Sequence, residues 1–159
     1  MKVSLTRIAS INPLYALLVA VPILATAAVA ATPSDYVASR KAAYKQIGQA
    51  NKAILDQFRG GSPSMPAVAA NARLLAGYSD KIPGWFPRGT GPESGVKTAA
   101  LPAIWTDPKG FRNAAQALRI SSGRLLAAAS QNNLPAAKAA AAEVGGTCRG
   151  CHQTYRSRD

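Results

Sequence analysis

The sequence predicts an all-α protein, folded as an antiparallel up-down-up-down bundle of four helices. Two observations carry this prediction: apolar residues recur at alternating spacings of three and four along four segments, and no segment alternates with period two over a useful length. The connections between the four segments are short, apart from a loop at 83–102 that is rich in glycine and proline.

The first thirty residues have the pattern of a secretory signal peptide and are set aside from the fold. Lys2 and Arg7 give a basic start without acids, an apolar run follows, and Ala-Val-Ala ends the segment as a cleavage site. The alternative is an uncleaved membrane anchor, but the run contains Pro22 and is shorter than the roughly 20 residues that a span needs. We expect export to a periplasm and a mature domain of residues 31–159.

The first two predicted helices span 34–58 and 65–81. Ser34 is expected to cap the first helix, which the glycine pair at 60–61 ends. The second is entered through two prolines, at 63 and 66. Their stripes are Tyr36, Arg40, Tyr44, Ile47, Asn51, Ile54 and Phe58, then Val68, Ala72, Leu75, Tyr78 and Ile82.

The last two predicted helices span 107–131 and 135–156. Thr106 is expected to cap the third helix, with Pro108 in its first turn. Their stripes are Phe111, Ala115, Leu118, Ser122, Leu125 and Ala129, then Ala137, Ala141, Val144, Cys148, Cys151 and Tyr155.

Composition excludes several kinds of site. The 159 residues include two cysteines and one histidine, too few for a disulfide scaffold, a four-ligand Cys/His zinc site or a bis-histidine iron site. Aromatic residues make up 6% of the chain. A core built mostly from alanine and leucine would be thin unless a further apolar body fills it.

The segment 148–152, Cys-Arg-Gly-Cys-His, has the C-x-x-C-H pattern of c-type haem attachment. Each thiol adds across one haem vinyl group, and two intervening residues set the sulfur atoms at the separation of the two vinyls. His152 then provides an axial ligand to the iron. The motif predicts one haem c per chain, bound covalently through Cys148 and Cys151 near the C-terminal helix.

Three other interpretations of the two cysteines are weaker. A thioredoxin-like C-x-x-C belongs to a βαβ setting, whereas this motif ends a chain that we predict to be helical. A zinc site would need a fourth ligand, and a structural disulfide would leave the adjacent His152 unexplained.

Four segments in the expected order resemble cytochrome c′, the class II cytochromes c. Residues 144–156 resemble the family's V-G-x-x-C-x-x-C-H-x-x-Y-R ending, and residues 82–91 its apolar-Phe-Pro-x-G-T loop. Residues 101–105 are similar to its L-P-x-I-W entry into helix three, and residues 40–48 to its helix-one pattern. The resemblance covers 34–159 and implies a four-helix haem protein.

The resemblance also implies roles around the haem. Arg40 matches the helix-one arginine that meets a haem propionate, and Lys41 matches a neighbouring polar residue near the same group. Tyr44 falls where the family places the residue over the distal iron face. Phe86 and the loop around Thr98 would line the haem edge. For Tyr44 an ordinary place in the core remains the alternative.

No second iron ligand is evident opposite His152. Some family members carry methionine where this chain has Tyr44, and a phenol with an ordinary pKa near 10 is a poor ligand at neutral pH. In the mature chain Met65 is the sole methionine, at the start of helix two. We therefore expect five-coordinate, high-spin iron that binds nitric oxide and carbon monoxide, transfers electrons, or does both.

The alternative function is a six-coordinate electron carrier, and an enzyme ranks below both because the distal face offers no acid–base group. The formal charge of +12 favours solubility or docking to an acidic redox partner. Arg156, four residues after His152, could tune the imidazole or lie solvated at the helix end. Many members of the family are homodimers. Nucleic-acid binding and a lasting membrane anchor are not expected.

Overall fold

The computed structural model describes residues 30–158. Apart from residue 30, the predicted signal peptide lies outside the described residues, so its cleavage stays a prediction. Within the described range, no helix combines the length and the apolar character that crossing a membrane requires.

The described chain is helical, which confirms the predicted fold class. Four long helices, α1 (Pro33–Arg59), α2 (Met65–Ser79), α4 (Pro108–Ser130) and α5 (Leu134–Tyr155), frame the bundle, and the one-turn α3 (Ala103–Thr106) precedes α4. Helix α1 packs on α2, α2 on α4, and α4 on α5. Short connections join α1 to α2 and α4 to α5, whereas the long loop joins α2 to α4, and the bundle is antiparallel.

The structure corrects two predicted caps. Thr32, not Ser34, caps α1 and forms a reciprocal capping box with Asp35. Asp107, not Thr106, caps α4 by accepting a hydrogen bond from the Gly110 backbone N–H. In both helices a proline takes the first helical position, where no N–H is needed, so the cap is the residue before that proline.

Helix α2 ends earlier than expected, at Ser79 rather than 81. The Ser79 hydroxyl donates to the Leu75 carbonyl at 2.6 Å, and the chain then tightens into a 3-10 turn, Ile82–Trp85. Pro83 disfavours α-helical geometry in the residue before it, which explains the early end. A second 3-10 turn, Pro92–Ser94, lies in the same long loop.

Small residues let the helices approach closely. The largest fully buried apolar side chains are Ile54, Val68, Leu75, Leu125 and Val144. Around them, the core is mostly alanine. The few aromatic residues are instead concentrated beside a cavity between α1, α4, α5 and the long loop. The aliphatic core is thus built mainly from small side chains, and a cavity lies beside it.

Candidate functional site

The cavity has a volume of about 580 Å³, within the range of cofactor and ligand sites. All eight site residues predicted from the sequence line it: Arg40, Lys41, Tyr44, Phe86, Thr98, Cys148, Cys151 and His152. They come from α1, the long loop and α5, so the fold brings together groups more than a hundred positions apart.

Helix α5 presents the C-x-x-C-H motif to this cavity. Cys151 and His152 follow Cys148 by three and four residues in the last two turns of α5, so each shares a helix face with Cys148. Both cysteines are free and half-buried. Burial raises the pKa of the Cys148 thiol, and burial together with Cys148 raises the pKa of Cys151 to about 11. Burial, followed by the charge of Arg156, lowers the pKa of His152, which favours the neutral imidazole that binds metals.

The chain just after the motif is tied to the long loop. The Leu101 N–H donates to the Tyr155 carbonyl at 3.1 Å, and the Ser157 N–H donates to the Ala99 carbonyl at 2.9 Å. Arg156, which lies between Tyr155 and Ser157, has extended backbone geometry. It therefore follows α5, whereas the predicted helix of 135–156 included it. It nevertheless lines the same cavity as His152.

Arg40 on α1 is buried, with 3% of its surface exposed. Its Nη1 donates to the Thr90 hydroxyl at 3.0 Å, and its Nη2 donates to the Thr90 carbonyl at 2.7 Å and the Thr98 hydroxyl at 2.9 Å. The guanidinium also lies 4.6 Å from the centre of the Phe86 ring, a cation–π contact. Three of the five guanidinium N–H donors therefore have neutral partners.

No carboxylate of the described residues lies within 4.0 Å of the Arg40 guanidinium. Burial lowers the pKa of Arg40, and Tyr44 and then Glu93 oppose this shift only in part. The Glu93 carboxylate accepts from the Gly91 N–H instead. A buried charge without a counter-charge is costly. Arg40 thus retains donors and positive charge for an anionic group in the cavity, which fits a haem propionate.

Lys41 and Thr98 support the rim of the cavity in different ways. The Lys41 ammonium is exposed and donates to the Lys97 carbonyl at 2.8 Å, which fastens the long loop to α1. The Thr98 hydroxyl accepts from Arg40 and from the Ala100 N–H at 3.2 Å. Thr98 therefore reaches the site through the arginine as well as lining it.

Tyr44 lies on α1 and lines the cavity. Its ring meets Trp85 edge to face, with centroids 5.4 Å apart, and tilts against Phe86 at 6.3 Å. Its hydroxyl makes no hydrogen bond within the described residues. Burial raises the pKa of Tyr44, and a further increase comes from Cys151 across the cavity. The neutral phenol is therefore the form present at ordinary pH.

Seven of the nine aromatic side chains in the described residues form one connected cluster, which sequence reasoning missed. Phe86 contacts Phe111 at 5.1 Å between centroids and Trp105 at 6.1 Å, and Phe111 contacts Tyr155 at 5.2 Å. Phe111 and Tyr155 were placed on apolar stripes but not at the site. Their helical spacing identified buried faces, and no local signal shows that these faces meet at one cavity.

Other residues that line the cavity were not singled out as site residues from the sequence. They are mostly small or aliphatic and come from α1, the loop, α4 and α5: Lys45, Ile47, Gly48, Asn51, Ile82, Ala99, Ala100, Ile104, Ala114, Ala115, Leu118 and Thr147. Among the described residues, the lining contains no Asp or Glu, and His152 provides its sole imidazole.

Comparison with known proteins agrees with this arrangement. A family profile described as Cytochrome C′ matches residues 35–156. The chain is 33% identical over 127 residues to cytochrome c′ of Pararhodospirillum photometricum, a match that spans 79% of this chain and 99% of that protein.

Two solved structures of cytochrome c′ variants from Alcaligenes xylosoxidans have a similar fold. A nitric oxide complex aligns with a TM-score of 0.73 and 28% identity, and spans 82% of this chain and all of that one. A carbon monoxide complex aligns with a TM-score of 0.72 and 29% identity, and spans 80% of this chain and 98% of that one. With the matched profile and the relative from Pararhodospirillum photometricum, these likenesses show that the chain belongs to the cytochrome c′ family.

Proposed function

We propose that the mature chain, residues 31–159, is an exported periplasmic haem protein with five-coordinate iron that binds small diatomic gases. One observation carries the proposal: the C-x-x-C-H motif and a buried arginine without a carboxylate partner face the same cavity. The first supplies covalent attachment and an iron ligand, and the second supplies a counter-charge for a propionate.

Each of these residues has a distinct part in holding the cofactor. Cys148 and Cys151 would form thioether bonds to the two vinyl groups, and His152 would ligate the iron through its neutral imidazole. Arg40, fixed by Thr90 and Thr98, would pair with a propionate through its remaining N–H donors. Lys41 follows Arg40 in the sequence and lines the same cavity, so it would support the same propionate.

The side opposite His152 favours an open iron position. Tyr44 would lie over this face of the haem, as the family resemblance implies, and no methionine or second histidine is among the lining residues of the described chain. Because burial raises the pKa of Tyr44, the phenolate that could bind ferric iron is disfavoured. When bound, the haem would supply an iron atom that coordinates a diatomic ligand and exchanges one electron. Tyr44 would restrict the space for that ligand.

Relatives support the choice of ligand. Cytochrome c′ variants from Alcaligenes xylosoxidans are solved with nitric oxide and with carbon monoxide. Both ligands are small and neutral, and neither needs a strong hydrogen-bond donor to bind ferrous haem. An apolar cavity with an unpaired phenol suits such ligands.

Electron transfer is the second candidate function, either alongside gas binding or as the work of a six-coordinate carrier. The rim carries Lys41, Lys45 and Arg156, and no carboxylate lines the cavity, so an acidic redox partner would find complementary charge there. We do not propose an enzyme, because the lining lacks the second histidine or carboxylate that acid–base catalysis would use.

A homodimer is also part of the proposal. The family often pairs through its first two helices, and Leu74 on α2 is 53% exposed, which is unusual for a large aliphatic side chain. Light scattering on the purified protein would give the mass of the assembly, and a monomer at micromolar concentration would contradict the proposed homodimer.

The central experiment is expression with haem-maturation factors in a bacterial periplasm. We expect the mass of a mature chain that begins near residue 31 and a haem that resists acid–acetone extraction. The ferric protein should give a high-spin signal in electron paramagnetic resonance. Nitric oxide and carbon monoxide should each change the optical spectrum of the ferrous protein. A Cys148→Ala/Cys151→Ala variant is the control for covalent attachment. Extractable haem in the unmodified protein would refute attachment, and a low-spin ferric signal would favour the six-coordinate carrier.

A further inference from the structure

Three oxidisable side chains lead from the cavity toward the surface. Tyr44 lines the cavity, its ring meets Trp85 with centroids 5.4 Å apart, and Trp85 meets Tyr78 at 6.1 Å. Both contacts are edge to face, the favourable geometry for aromatic pairs. Trp85 and Tyr78 do not line the cavity, and both are partly exposed.

The composition makes this arrangement informative. The sequence contains five tyrosines and two tryptophans, and five of these seven lie in the one aromatic cluster. Tyrosine and tryptophan are the aromatic side chains that lose an electron most readily, whereas phenylalanine does not under the same conditions. In the path Tyr44–Trp85–Tyr78 every contact joins two oxidisable rings.

The other branches of the cluster are interrupted. Trp105 connects to the rest through Phe86. Tyr155 lines the cavity itself, but its ring contact is with Phe111, so no second oxidisable ring leads from it toward the surface. Tyr155 is also buried, and its hydroxyl donates to Asp107 Oδ2 at 2.8 Å. These branches therefore fit packing, and the unbroken branch fits electron movement.

We propose that Tyr44, Trp85 and Tyr78 form a route by which oxidising equivalents leave the cavity for the surface when hydrogen peroxide reaches the haem. This inference rests on the proposed haem site. It adds a protective function that neither gas binding nor docking to a redox partner requires. The reaction would be slower than that of a peroxidase, because no histidine or carboxylate of the described lining is free to assist O–O cleavage.

The electrons and protons balance as follows. One hydrogen peroxide takes up two electrons and two protons, its O–O bond breaks, and two water molecules form. Tyr78 supplies the electrons one at a time through Trp85 and Tyr44, and releases its phenolic proton to water each time. A reductant such as ascorbate restores Tyr78 with one electron and one proton in each step, and becomes dehydroascorbate after two.

The placement of the hydroxyl groups supports Tyr78 as the end of the route. Tyr44 is partly exposed, as Tyr78 is, but it opens onto the cavity that the haem would fill, and its hydroxyl has no hydrogen-bond acceptor within the described residues. Tyr78 is partly exposed, and water can take its proton. Oxidation should therefore settle on Tyr78 rather than on the residue nearest the cavity.

The test uses the haem-loaded protein, treated with hydrogen peroxide and a nitroso spin trap without ascorbate, followed by peptide mass spectrometry. We expect the trap mainly on Tyr78. Trp85→Phe should lower that adduct several-fold and speed the bleaching of the haem, and Tyr78→Phe should move the adduct to Trp85. Tyr36→Phe, which removes a tyrosine outside the cluster, should change neither.

The outcomes separate the two proposals. A pyridine haemochrome spectrum first establishes whether the haem is attached through thioethers, so a failure of the haem proposal is seen before peroxide is added. With attached haem, equal Tyr78 labelling in the wild type and Trp85→Phe would overturn the route. So would labelling mainly on Tyr155 or Trp105. Circular dichroism of each variant identifies any loss of folding, and Tyr78→Phe retains the test if Trp85→Phe unfolds.

Discussion

The Arg40 guanidinium on α1 donates its Nη1–H to the hydroxyl of Thr90, fifty positions later in the long loop, at 3.0 Å. The same hydroxyl donates to the Pro87 carbonyl at 2.8 Å, so its lone pairs are left for the arginine. Thr90 is as buried as Arg40, with 3% of its surface exposed. The loop therefore holds the buried charge in place before any cofactor meets it.

Thr90→Val should destabilise the protein by about 2 kcal/mol, because the nearly isosteric side chain leaves the Nη1 donor and the Pro87 carbonyl without partners. Urea unfolding followed by circular dichroism measures the change. Thr90→Ser keeps the hydroxyl and should recover most of the loss. If the valine and serine variants were equally stable, the hydroxyl would not be the group that matters.

Arg40→Met should destabilise the haem-loaded protein by about 3 kcal/mol, because a propionate in the cavity would lose its counter-charge. The same urea titration, followed at the haem absorbance, measures the loss. Arg149→Met on α5 is the matched control, since Arg149 is exposed and forms no ion pair within the described residues. It should change stability by less than about 0.5 kcal/mol. Equal effects of the two substitutions would argue against a propionate at Arg40.

Local patterns in the sequence were enough to predict the four helices and to single out the two cysteines and the histidine of the C-x-x-C-H motif. Both signals depend only on residues that lie a few positions apart. The caps at Thr32 and Asp107 were missed because a second candidate, Ser34 or Thr106, stood within two residues of the same proline. The site residue Thr90 lay within a recognised loop motif but received no role. Its partner is fifty positions away, and such pairing depends on the tertiary fold.

Gly110→Ala should destabilise the protein by about 1–3 kcal/mol, although alanine favours helices. A Cβ at this position of α4 would lie 2.5 Å from the Tyr155 hydroxyl and closer still to the Asp107 carboxylate, the two groups that join α5 to the start of α4. Gly123→Ala, on the same helix with open space around it, should stabilise by about 0.5–1 kcal/mol. Thermal unfolding of both variants measures the contrast, and a stabilised Gly110→Ala would show that the contact yields without cost.

Tyr155→Phe should reduce the loss of stability in alkaline solution. Burial, followed by the hydrogen bond to Asp107, raises the pKa of Tyr155 from 10.0 to about 12. Because the folded state holds this proton more tightly than the unfolded state, the contribution of Tyr155 to the free energy of unfolding is fully present below pH 10 and is lost as the pH rises toward 12. The midpoint of urea unfolding should fall further between pH 8 and pH 11 in the wild type than in the variant. Other ionising groups are common to both proteins, so equal falls would show that Tyr155 does not carry this dependence.

Tyr44→Ala should speed carbon monoxide binding to the ferrous protein. The phenol ring lines the cavity together with His152 and is held by Trp85 and Phe86, so on the proposed distal face an incoming ligand must displace it or pass beside it. Lowering that barrier by about 1.4 kcal/mol would raise the association rate about tenfold, which flash photolysis can measure. Tyr44→Phe retains the ring without its hydroxyl and should bind at nearly the wild-type rate, because the obstruction is steric. Unchanged rates in the alanine variant would make Tyr44 an ordinary core residue, and a fast phenylalanine variant would assign the barrier to the hydroxyl.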